Sequence, residues 1–401
     1  MKRVGILGGT FNPIHNAHLN IAMAAYEQYH LDEVWFMPAG MPPHKAVSAN
    51  ISAIHRKEMV LAAIAPYPMF HLCDMEIEKK KPCYTYKTLK KLQERYGVFT
   101  HFYFIIGGDS FFSFDEWVKP EEICQYADIL VARRPQEQEE TTAAFQEKMT
   151  EHQKRYGDHF FEIMVKQMDI SSTEVRTALE NSLDVSGLIP DNVLSYIKTN
   201  HLYDKVFSSE ELYQMELKLK KALKTSRYQH TIGVMHTAAN LAFCHEYPFT
   251  KAMVAGLLHD CAKCLSDEER IHICKKHQIP ISKVEKKAPH LLHGKVGAYL
   301  AKKEYGIHDS EILHAISVHT TGCKEMSLLD KIIFVADYIE PGRDKAPRLA
   351  EIRKVAFEDI DACVLMILED TIQYVSKHQD EMDDTTIETY TYYKKLIKER
   401  G

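Results

Sequence analysis

Short apolar segments alternate with amphipathic segments through the first two hundred residues of the chain. Five segments are apolar and largely bounded by turn residues or charges, which predicts β-strands: RVGILGG, EVWFMPAG, HFYFIIGG, DILVARRP and FFEIMVKQMDI. Two further segments, AHLNIAMAAYEQYH and RKEMVLAAIAPY, repeat their apolar positions at helical spacing. Strands that alternate with helices predict an α/β domain whose parallel sheet is covered on both faces.

The pattern changes near residue 205. From Ser208 onward strand-like segments are almost absent, and long helical periodicities dominate, as in SEELYQMELKLKKALKT, TIGVMHTAANLAFCHE and DSEILHAISVH. The stretch from Ser208 to Glu211 is typical of a helix start, with acidic residues in the first turn. We therefore expect an α/β domain over residues 1–205 and an all-α domain over residues 206–401.

Composition limits the class of protein and the cellular compartment to be expected. The 401 residues are 45% hydrophobic and 26% charged, with a net charge of −6, so neither half has the basic excess of a general nucleic-acid binder. No apolar stretch approaches the roughly 20 residues of a membrane span, and the N-terminus predicts a strand rather than a signal peptide. Nine scattered cysteines indicate reduced thiols. We expect a soluble, cytoplasmic protein without nucleic-acid or membrane partners. The sequence leaves open whether the protein forms a homo-oligomer.

A glycine pair ends the first predicted strand and two histidines follow it, in GGTFNPIHNAH. Glycines let backbone N–H groups approach a phosphate, and the N-terminus of the next helix adds partial positive charge. His15 and His18 then face the same anion. A Gly–Gly turn into a helix is also common without a ligand, so this stretch alone leaves a purely structural role open. It is neither a Walker loop nor a GxGxxG dinucleotide motif.

The stretch GGTFNPIHNAHL, with PPHK, YTYKTL, IIGGDSF, ARRP and ISSTEVR, resembles the bacterial nicotinate-nucleotide adenylyltransferase family of the HxGH nucleotidyltransferase superfamily. The resemblance runs from Met1 to about Tyr203. It implies a Rossmann-like fold in which nicotinate mononucleotide attacks the α-phosphorus of ATP and pyrophosphate leaves, with Mg²⁺ on the triphosphate. Ala17 stands where the family usually has glycine, and we expect a tuned rather than an abolished ATP site.

The expected ATP-binding residues supply backbone, hydroxyl, imidazole and guanidinium groups, and they are Gly8, Gly9, Thr10, Phe11, His15, His18, Ser172, Thr173 and Arg176. His15 and His18 are the expected catalytic residues among them. The resemblance also implies a mononucleotide pocket and cleft formed by Lys45, Thr85, Trp117, Asp109 and Arg134. The alternative substrates for this half are nicotinamide mononucleotide and phosphopantetheine, and ISSTEVR with PPHK disfavours the second.

In the second half, GLLHDCAK places His259 and Asp260 directly after an apolar run. A charged pair that follows a buried helical segment is costly unless it binds something. The other candidate metal ligands are His230 in RYQHT, His293 in LLHGKVGA, His319 in SVHTTG and Asp337 in VADYIEPGR. Imidazole and carboxylate ligands suit iron, manganese, zinc or similar ions, so the ordered series predicts a metal centre. A redox or zinc motif formed by Cys261 and Cys264 is the alternative, although no second CxxC accompanies it.

This histidine and aspartate series resembles the HD-domain phosphohydrolase superfamily. With HDCAK, HTTG and ADYIEPGR, residues from about Tyr213 to Tyr393 are similar to the bacterial HD-domain symmetrical diadenosine tetraphosphate hydrolases. The resemblance implies cleavage of diadenosine tetraphosphate into two ADP at one or two transition-metal ions, iron first, with manganese or others as alternatives.

The same resemblance implies how the ligands are shared. One ion is held by His230, His259, Asp260 and Asp337, and Asp260 bridges to a second ion held by His293 and His319. Lys263 and Arg343 are the expected catalytic phosphate clamps. Three other functions stay open for this half: a nucleotidase, a guanosine alarmone hydrolase, or a nucleotide sensor without turnover.

Overall fold

In a computed structural model the chain folds into two compact units, Met1–Asp204 and Lys205–Gly401. The structure describes residues 1–40, 51–77, 79, 83–133, 139–165, 170–378 and 383–400. Within these ranges, no helix combines the length and the apolar character that crossing a bilayer requires.

The first unit is built on a parallel sheet whose described strands run in the order β3-β2-β1-β4-β5-β6. These are β1 (Lys2–Gly9), β2 (Glu33–Pro38), β3 (Phe70–Leu72), β4 (Thr100–Gly107), β5 (Asp128–Arg133) and β6 (Phe160–Met164). The helices are α1 (Asn16–Gln28), α2 (Ala53–Ile64), α3 (Thr85–Tyr96), α4 (Gly108–Phe112), α5 (Pro120–Tyr126), α6 (Glu139–Tyr156), α7 (Ser172–Glu180) and α8 (Asp191–Thr199). The predicted α/β fold is confirmed, and among the described strands the periodicity predicted all but the short edge strand β3.

Alternate strand residues feed two separate apolar cores, one on each face of the sheet. Val4 and Ile6 of β1 pack on the same side as Phe104 of β4, together with apolar residues of α3, α4, α5 and α6. Leu7 and Ile105 point to the other side, where α1, α2, α7 and α8 cover the sheet. Burial on both faces explains why the strands are almost continuously apolar rather than alternating.

The strand order reverses next to β1. From β1 the chain moves to β2 on one side, and it later returns to β4 on the other side, so β1 and β4 are parallel neighbours. Ligands of open α/β sheets bind in the crevice beyond the carboxyl ends of the strands at such a point. The fold therefore places the predicted phosphate loop, which follows β1, at the expected ligand crevice.

The described residues of the second unit form helices joined by turns and loops, and no strand occurs among them. Its helices are α9 (Ser209–Ala222), α10 (Thr225–Cys244), α11 (Phe249–Leu258), α12 (Asp267–Lys276), α13 (Lys283–Lys287), α14 (His293–Tyr305), α15 (Ser310–Val318), α16 (Leu328–Ile339), α17 (Leu349–Val355), α18 (Ile360–His378) and α19 (Asp384–Arg400). Ser208 caps α9 by accepting the Glu211 N–H, which is the helix start that the sequence predicts.

The centre of the second unit is formed by α10, α11, α15, α16 and α18, whose apolar residues share one core. The close approach of α10 and α11 depends on Gly256, because a Cβ there would lie 3.0 Å from the Met235 Cα and 3.2 Å from the Val234 carbonyl oxygen. This crossing fixes the end of α11, and with it the His259–Asp260 pair that follows.

Candidate functional sites

The loop between β1 and α1 places two histidines at the start of α1. His15 is the N-cap residue and His18 lies in the first turn. The His15 backbone N–H donates to His18 Nδ1 at 3.2 Å, and the two imidazole rings stack with centroids 3.7 Å apart. The pair therefore lies at a helix N-terminus, where exposed N–H groups and the helix dipole favour an anion.

Both imidazoles are neutral at physiological pH in the free protein. Burial lowers the pKa of His15 to about 4, against a smaller opposing effect of Glu174. Burial and the neighbouring His15 ring together hold the pKa of His18 well below its usual value. Because negative charge favours the protonated form, a polyphosphate bound beside these rings would raise both pKa values.

The chain runs tightly past the carboxyl end of β1. A Cβ at Gly8 would lie 3.3 Å from the Phe104 ring, and one at Gly9 would lie 3.1 Å from the Phe11 ring. Phe11 is buried, has a φ of 48°, and packs edge-on against His18 with ring centroids 5.0 Å apart. A side chain at either glycine would therefore crowd an aromatic ring at the end of β1.

The start of α7 holds this loop in place. Ser172 Oγ donates to the Pro13 carbonyl oxygen at 3.0 Å, and Arg176 Nη1 donates to the Asn12 carbonyl oxygen at 2.7 Å. Arg176 Nη2 also donates to Thr173 Oγ1 at 3.0 Å. The three residues that the sequence analysis assigns to the far side of the triphosphate thus lie directly beside the β1–α1 loop.

Sequence reasoning missed Arg56, although the residue lies in a predicted helix. Its side chain is only 2% exposed and donates to the carbonyl oxygens of Thr10 at 2.8 Å, Ala39 at 2.6 Å and Gly40 at 2.9 Å. It therefore ties the loop after β1 to the segment after β2. An arginine within an amphipathic helix gives no sequence signal for this role, because its acceptors are main-chain groups brought close by the fold.

Three residues predicted for the mononucleotide pocket occupy separate elements. Asp109 is exposed in α4, directly after β4. Trp117 is half-buried, with its ring centroid 6.1 Å from that of Phe104, the same ring that approaches Gly8. Thr85 is the first residue of α3. Asp109 and Trp117 therefore lie on the β4 side of the crevice.

Two further predicted residues, Lys45 and Arg134, lie outside the residues that the structure describes. The neighbouring Arg133 ends β5 and donates to Glu162 Oε1 of β6 at 3.1 Å and to Thr142 Oγ1 at 2.6 Å. Of the two arginines in ARRP, Arg133 therefore has a structural role in holding β5, β6 and α6 together.

In the second unit, the six predicted metal ligands converge on one buried centre. They come from α10, the end of α11, the start of α14, the end of α15 and α16, and they are His230, His259, Asp260, His293, His319 and Asp337. They form overlapping groups of three in which the candidate ligand atoms lie within 4.8 Å of one another. Five separate elements thus contribute to a single cluster.

The two carboxylate oxygens of Asp260 face different histidines. Oδ1 lies 3.3 Å from His293 Nε2 and 3.8 Å from His319 Nε2, whereas Oδ2 lies 3.5 Å from His259 Nε2. We call the group of His230, His259, Asp260 and Asp337 site A, and the group of Asp260, His293 and His319 site B. In site A, Asp337 Oδ1 lies 2.9 Å from His230 Nε2 and 3.8 Å from His259 Nε2.

Each of the four histidines has its Nδ1 fixed by an acceptor. Because carbonyl oxygens only accept, the rings of His259, His293 and His319 carry a hydrogen on Nδ1 and leave Nε2 for a ligand, whereas His230 has a carboxylate oxygen beside each ring nitrogen. The pairs are His259 with Gly256 O at 2.7 Å, His293 with His290 O at 2.6 Å, His319 with Ile316 O at 2.7 Å, and His230 with Glu340 Oε1 at 3.0 Å.

Buried polar atoms at this centre also fit a bound cation. His259 Nε2 and Asp260 Oδ1 are buried and make no hydrogen bond, which is costly unless something else satisfies them. Burial alone would raise the pKa of Asp260, but His259 and the other histidines outweigh it and hold that pKa well below its usual value. Burial lowers the pKa of His293 and of His319, so an ionised Asp260 carboxylate beside their Nε2 atoms is a donor set for a divalent transition metal.

Cationic side chains border the metal ligands. Lys263 Nζ lies 3.1 Å from His293 Nε2, and burial lowers its pKa. Arg343 Nη2 donates to Asp337 Oδ1 at 3.0 Å. Both predicted phosphate clamps therefore lie beside the centre.

Two more polar residues at this centre were missed by sequence reasoning. Arg227 Nη1 donates to Asp260 Oδ2 at 2.8 Å, and Thr320 Oγ1 lies 3.2 Å from Nε2 of both His293 and His319. Arg227 precedes His230 by three residues on α10, which places both on one face of the helix. This spacing could have indicated from the sequence that Arg227 lies near the metal ligands. Thr320 directly follows His319, and its hydroxyl gives no comparable signal.

The CxxC alternative gains no support from the geometry. Cys261 is buried and its Sγ donates to the Gly297 carbonyl oxygen at 3.4 Å, while Cys264 is exposed. Burial raises the pKa of Cys261, so its thiol stays protonated. Neither cysteine belongs to any of the metal-capable groups found among the described residues.

Comparisons with known proteins divide the chain in the same way. Residues 6–178 match the cytidylyltransferase-like family, and residues 227–342 match the HD domain family. The chain is 38% identical over 203 residues to a protein named "Probable nicotinate-nucleotide adenylyltransferase" from Lachnoclostridium phytofermentans, a match that covers 51% of this chain and all of the relative. It is 36% identical over 211 residues to a protein of the same name from Shewanella frigidimarina, covering 50% of this chain and 99% of the relative.

A solved structure matches the chain at 40% identity, covering 48% of this chain and 99% of the other, with a TM-score of 0.45. It is titled a predicted HD superfamily hydrolase involved in NAD metabolism from Clostridium acetobutylicum. The two family matches, over residues 6–178 and 227–342, lie one after the other in a single polypeptide. The first half of the chain belongs to the nicotinate-nucleotide adenylyltransferase family, and it is joined to an HD domain.

Proposed function

We propose that the chain is a bifunctional enzyme. Residues 1–205 transfer the adenylyl group of ATP to nicotinate mononucleotide, giving deamido-NAD and pyrophosphate. Residues 206–401 hydrolyse diadenosine tetraphosphate symmetrically into two ADP. The family of the first half supports the transferase reaction, and the clustered metal ligands of the HD domain support a phosphohydrolase.

The stacked His15–His18 pair is the observation that supports adenylyl transfer. His18 Nδ1 accepts the His15 N–H, so the neutral ring carries its hydrogen on Nε2 and offers it to a phosphate oxygen. Transfer of a phosphoryl-type group needs positioning and charge neutralisation more than a covalent nucleophile. The helix N-terminus, the two imidazoles and the Arg176 guanidinium supply both, and Mg²⁺ accompanies the triphosphate when it binds.

Turnover of three acceptors by the intact chain tests this half. We expect kcat/KM to be highest for nicotinate mononucleotide, with nicotinamide mononucleotide second and phosphopantetheine inactive. His18→Asn should lower kcat for the transfer, whereas His71→Gln, at the far edge of the sheet on β3, should not. A preference for nicotinamide mononucleotide would overturn the assigned substrate and keep the reaction class.

The position of Asp260 between two histidine groups is the observation that supports hydrolysis. A bound divalent metal would acidify water and polarise a phosphoryl oxygen at this centre. The side chains of Lys263 and Arg343 lie within hydrogen-bond reach of metal-ligating residues, so their charges are placed to hold the phosphate chain of a substrate. We assign Arg227, paired with Asp260, to the same anion-binding role.

Chromatography of the products from diadenosine tetraphosphate tests the second half. We expect two ADP from the wild-type chain, loss of activity in His259→Ala and Asp260→Ala, and full activity in His272→Ala, whose side chain is exposed on α12. ATP plus AMP would keep a hydrolase and overturn symmetrical cleavage. Absence of product in both oxidised and reduced metal-loaded preparations would favour a nucleotidase, an alarmone hydrolase or a sensor, which a nucleotide panel and a binding assay distinguish.

A further inference from the structure

His230 differs from the other three histidines of the metal centre. His259, His293 and His319 donate their Nδ1 hydrogen to main-chain carbonyl oxygens, whereas His230 faces a carboxylate, with its Nδ1 3.0 Å from Glu340 Oε1. Glu340 is only 4% exposed and directly follows α16, three residues after Asp337. The same helix end therefore supplies one ligand and orients another.

The surroundings of Glu340 fit its carboxylate closely. Its Oε2 accepts the Gly342 N–H at 2.6 Å. A Cβ at Gly233, one turn after His230 on α10, would lie 2.5 Å from the same Oε2, and a Cβ at Gly342 would lie 3.0 Å from both carboxylate oxygens. A side chain at Gly233 would therefore displace the carboxylate, and one at Gly342 would crowd it.

The turn that carries Glu340 is also fixed from outside. Arg353 of α17 donates to three main-chain carbonyl oxygens of this turn, each at 2.9 Å, and the three belong to Ile339, Glu340 and Arg343. The Arg343 N–H donates to the Glu340 carbonyl oxygen at 3.0 Å. The turn that carries the carboxylate is thus held in place by a side chain of another helix.

The two metal sites differ in charge. Site A contains the carboxylates of Asp260 and Asp337, and Glu340 lies behind its histidine His230. Site B shares Asp260 but adds only imidazoles. Cations border both sites, because Lys263 Nζ lies 3.1 Å from His293 Nε2 at site B, while Arg227 and Arg343 donate to Asp260 Oδ2 and Asp337 Oδ1 at site A. The difference between the sites therefore lies in the second carboxylate ligand and in Glu340. A hydrogen bond to a carboxylate makes an imidazole a stronger donor to a metal, and loss of such a partner typically weakens metal binding.

We propose that Glu340 is a positioning residue that fixes His230 as an Nε2 donor and makes site A bind a divalent metal more tightly than site B. The two sites then fill in that order. This inference rests on the metal centre of the proposed function, but it does not depend on which nucleotide is hydrolysed.

Titration of the full chain with Mn²⁺, with free Mn²⁺ followed by electron paramagnetic resonance, tests the proposal. The wild-type chain should show a tighter and a weaker binding step. Glu340→Gln should weaken the tighter step by roughly 10- to 100-fold and change the weaker step far less. Gly233→Ala, which displaces the carboxylate, should do the same. His319→Ala should remove the weaker step and keep the tighter one, and the exposed Glu351→Gln on α17 is the matched control.

Unchanged tighter binding in Glu340→Gln, or equal weakening of both steps, would overturn the proposal. The far-ultraviolet circular dichroism and melting temperature of the chelated variants establish that they fold. If Glu340→Gln does not fold, Glu340→Asp keeps the charge on a shorter side chain and should weaken the tighter step measurably but by less than tenfold, whereas unchanged affinity would contradict the role. A wild-type chain that binds neither Mn²⁺ nor anaerobic Fe²⁺ would overturn the metal centre itself, and with it the proposed hydrolase.

Discussion

His15 makes the first unit sensitive to acid. Its side chain is 5% exposed, and burial lowers its pKa from 6.5 to about 4 in the folded protein. Between pH 6.5 and pH 4, His15 is therefore protonated in the unfolded chain and remains neutral in the folded unit. The pKa difference of His15 has no effect on the free energy of unfolding above pH 6.5, and it lowers that free energy progressively as the pH falls towards 4. His15→Asn removes this linkage, and asparagine keeps a favourable N-cap for α1.

The size of the effect follows from the two pKa values. A difference from 6.5 to about 4, at roughly 1.4 kcal/mol for each pKa unit, corresponds to about 3 to 4 kcal/mol at full extent. About 2 kcal/mol of this is lost by pH 5, and almost none is lost at pH 7.5. We therefore expect the wild-type unit to lose about 2 kcal/mol more than His15→Asn between pH 7.5 and pH 5.

Urea unfolding followed by tryptophan fluorescence measures this difference in the intact chain. The protein has two tryptophans, Trp35 and Trp117, and both lie in the first unit, so the signal reports that unit. His71→Gln is the matched control, because its side chain is 46% exposed on the edge strand β3, and its loss of stability should stay much closer to that of the wild type than the loss in His15→Asn. Equal pH dependence of wild type and His15→Asn would refute the burial argument, and a steeper loss in His15→Asn would reverse its sign.

Three further predictions concern the loop, the motif and the metal. Arg56→Met should destabilise the first unit by at least about 2 kcal/mol, because three carbonyl oxygens lose their hydrogen-bond donor. The control Lys57→Met, on the same helix, should destabilise it by less than about 1 kcal/mol in the same tryptophan assay. Ala17→Gly should change kcat/KM for ATP by less than about tenfold and lower the free energy of unfolding by about 0.5–1 kcal/mol, and a larger kinetic change would show that Ala17 limits the ATP site. When transition metals are removed and only Mg²⁺ is added back, hydrolysis should be abolished and adenylyl transfer restored, because imidazole-rich sites bind Mg²⁺ poorly. Loss of both activities would contradict two separate centres.

The secondary structure was predictable wherever its residues show a local pattern of apolar and polar positions. Continuously apolar segments between turn residues gave five of the described strands, and helical spacing gave the all-α character of the second half. The three residues of β3 are too few to show a periodicity, and their pairing with β2 is a tertiary contact. The order of the strands likewise depends on which crossovers the chain takes, which no local pattern records.

The metal ligands were predictable because their residue types are unusual next to apolar helices. The residues that orient them were not, since their identity depends on contacts distant in sequence. Glu340 lies in the quoted stretch VADYIEPGR, yet its partner His230 is 110 positions away, and the space for its carboxylate is made by Gly233 on another helix. Arg56 was missed for the same reason, because its partners are backbone carbonyl oxygens.

Product analysis of one preparation in both reactions tests the central claim, that each half of the chain carries its own chemistry. The wild-type chain, His18→Asn and His259→Ala would each receive ATP with nicotinate mononucleotide, and separately diadenosine tetraphosphate. We predict a reciprocal pattern: His18→Asn loses formation of deamido-NAD and still releases two ADP, while His259→Ala does the opposite. Loss of both products in either variant, or of neither, would contradict two independent active sites.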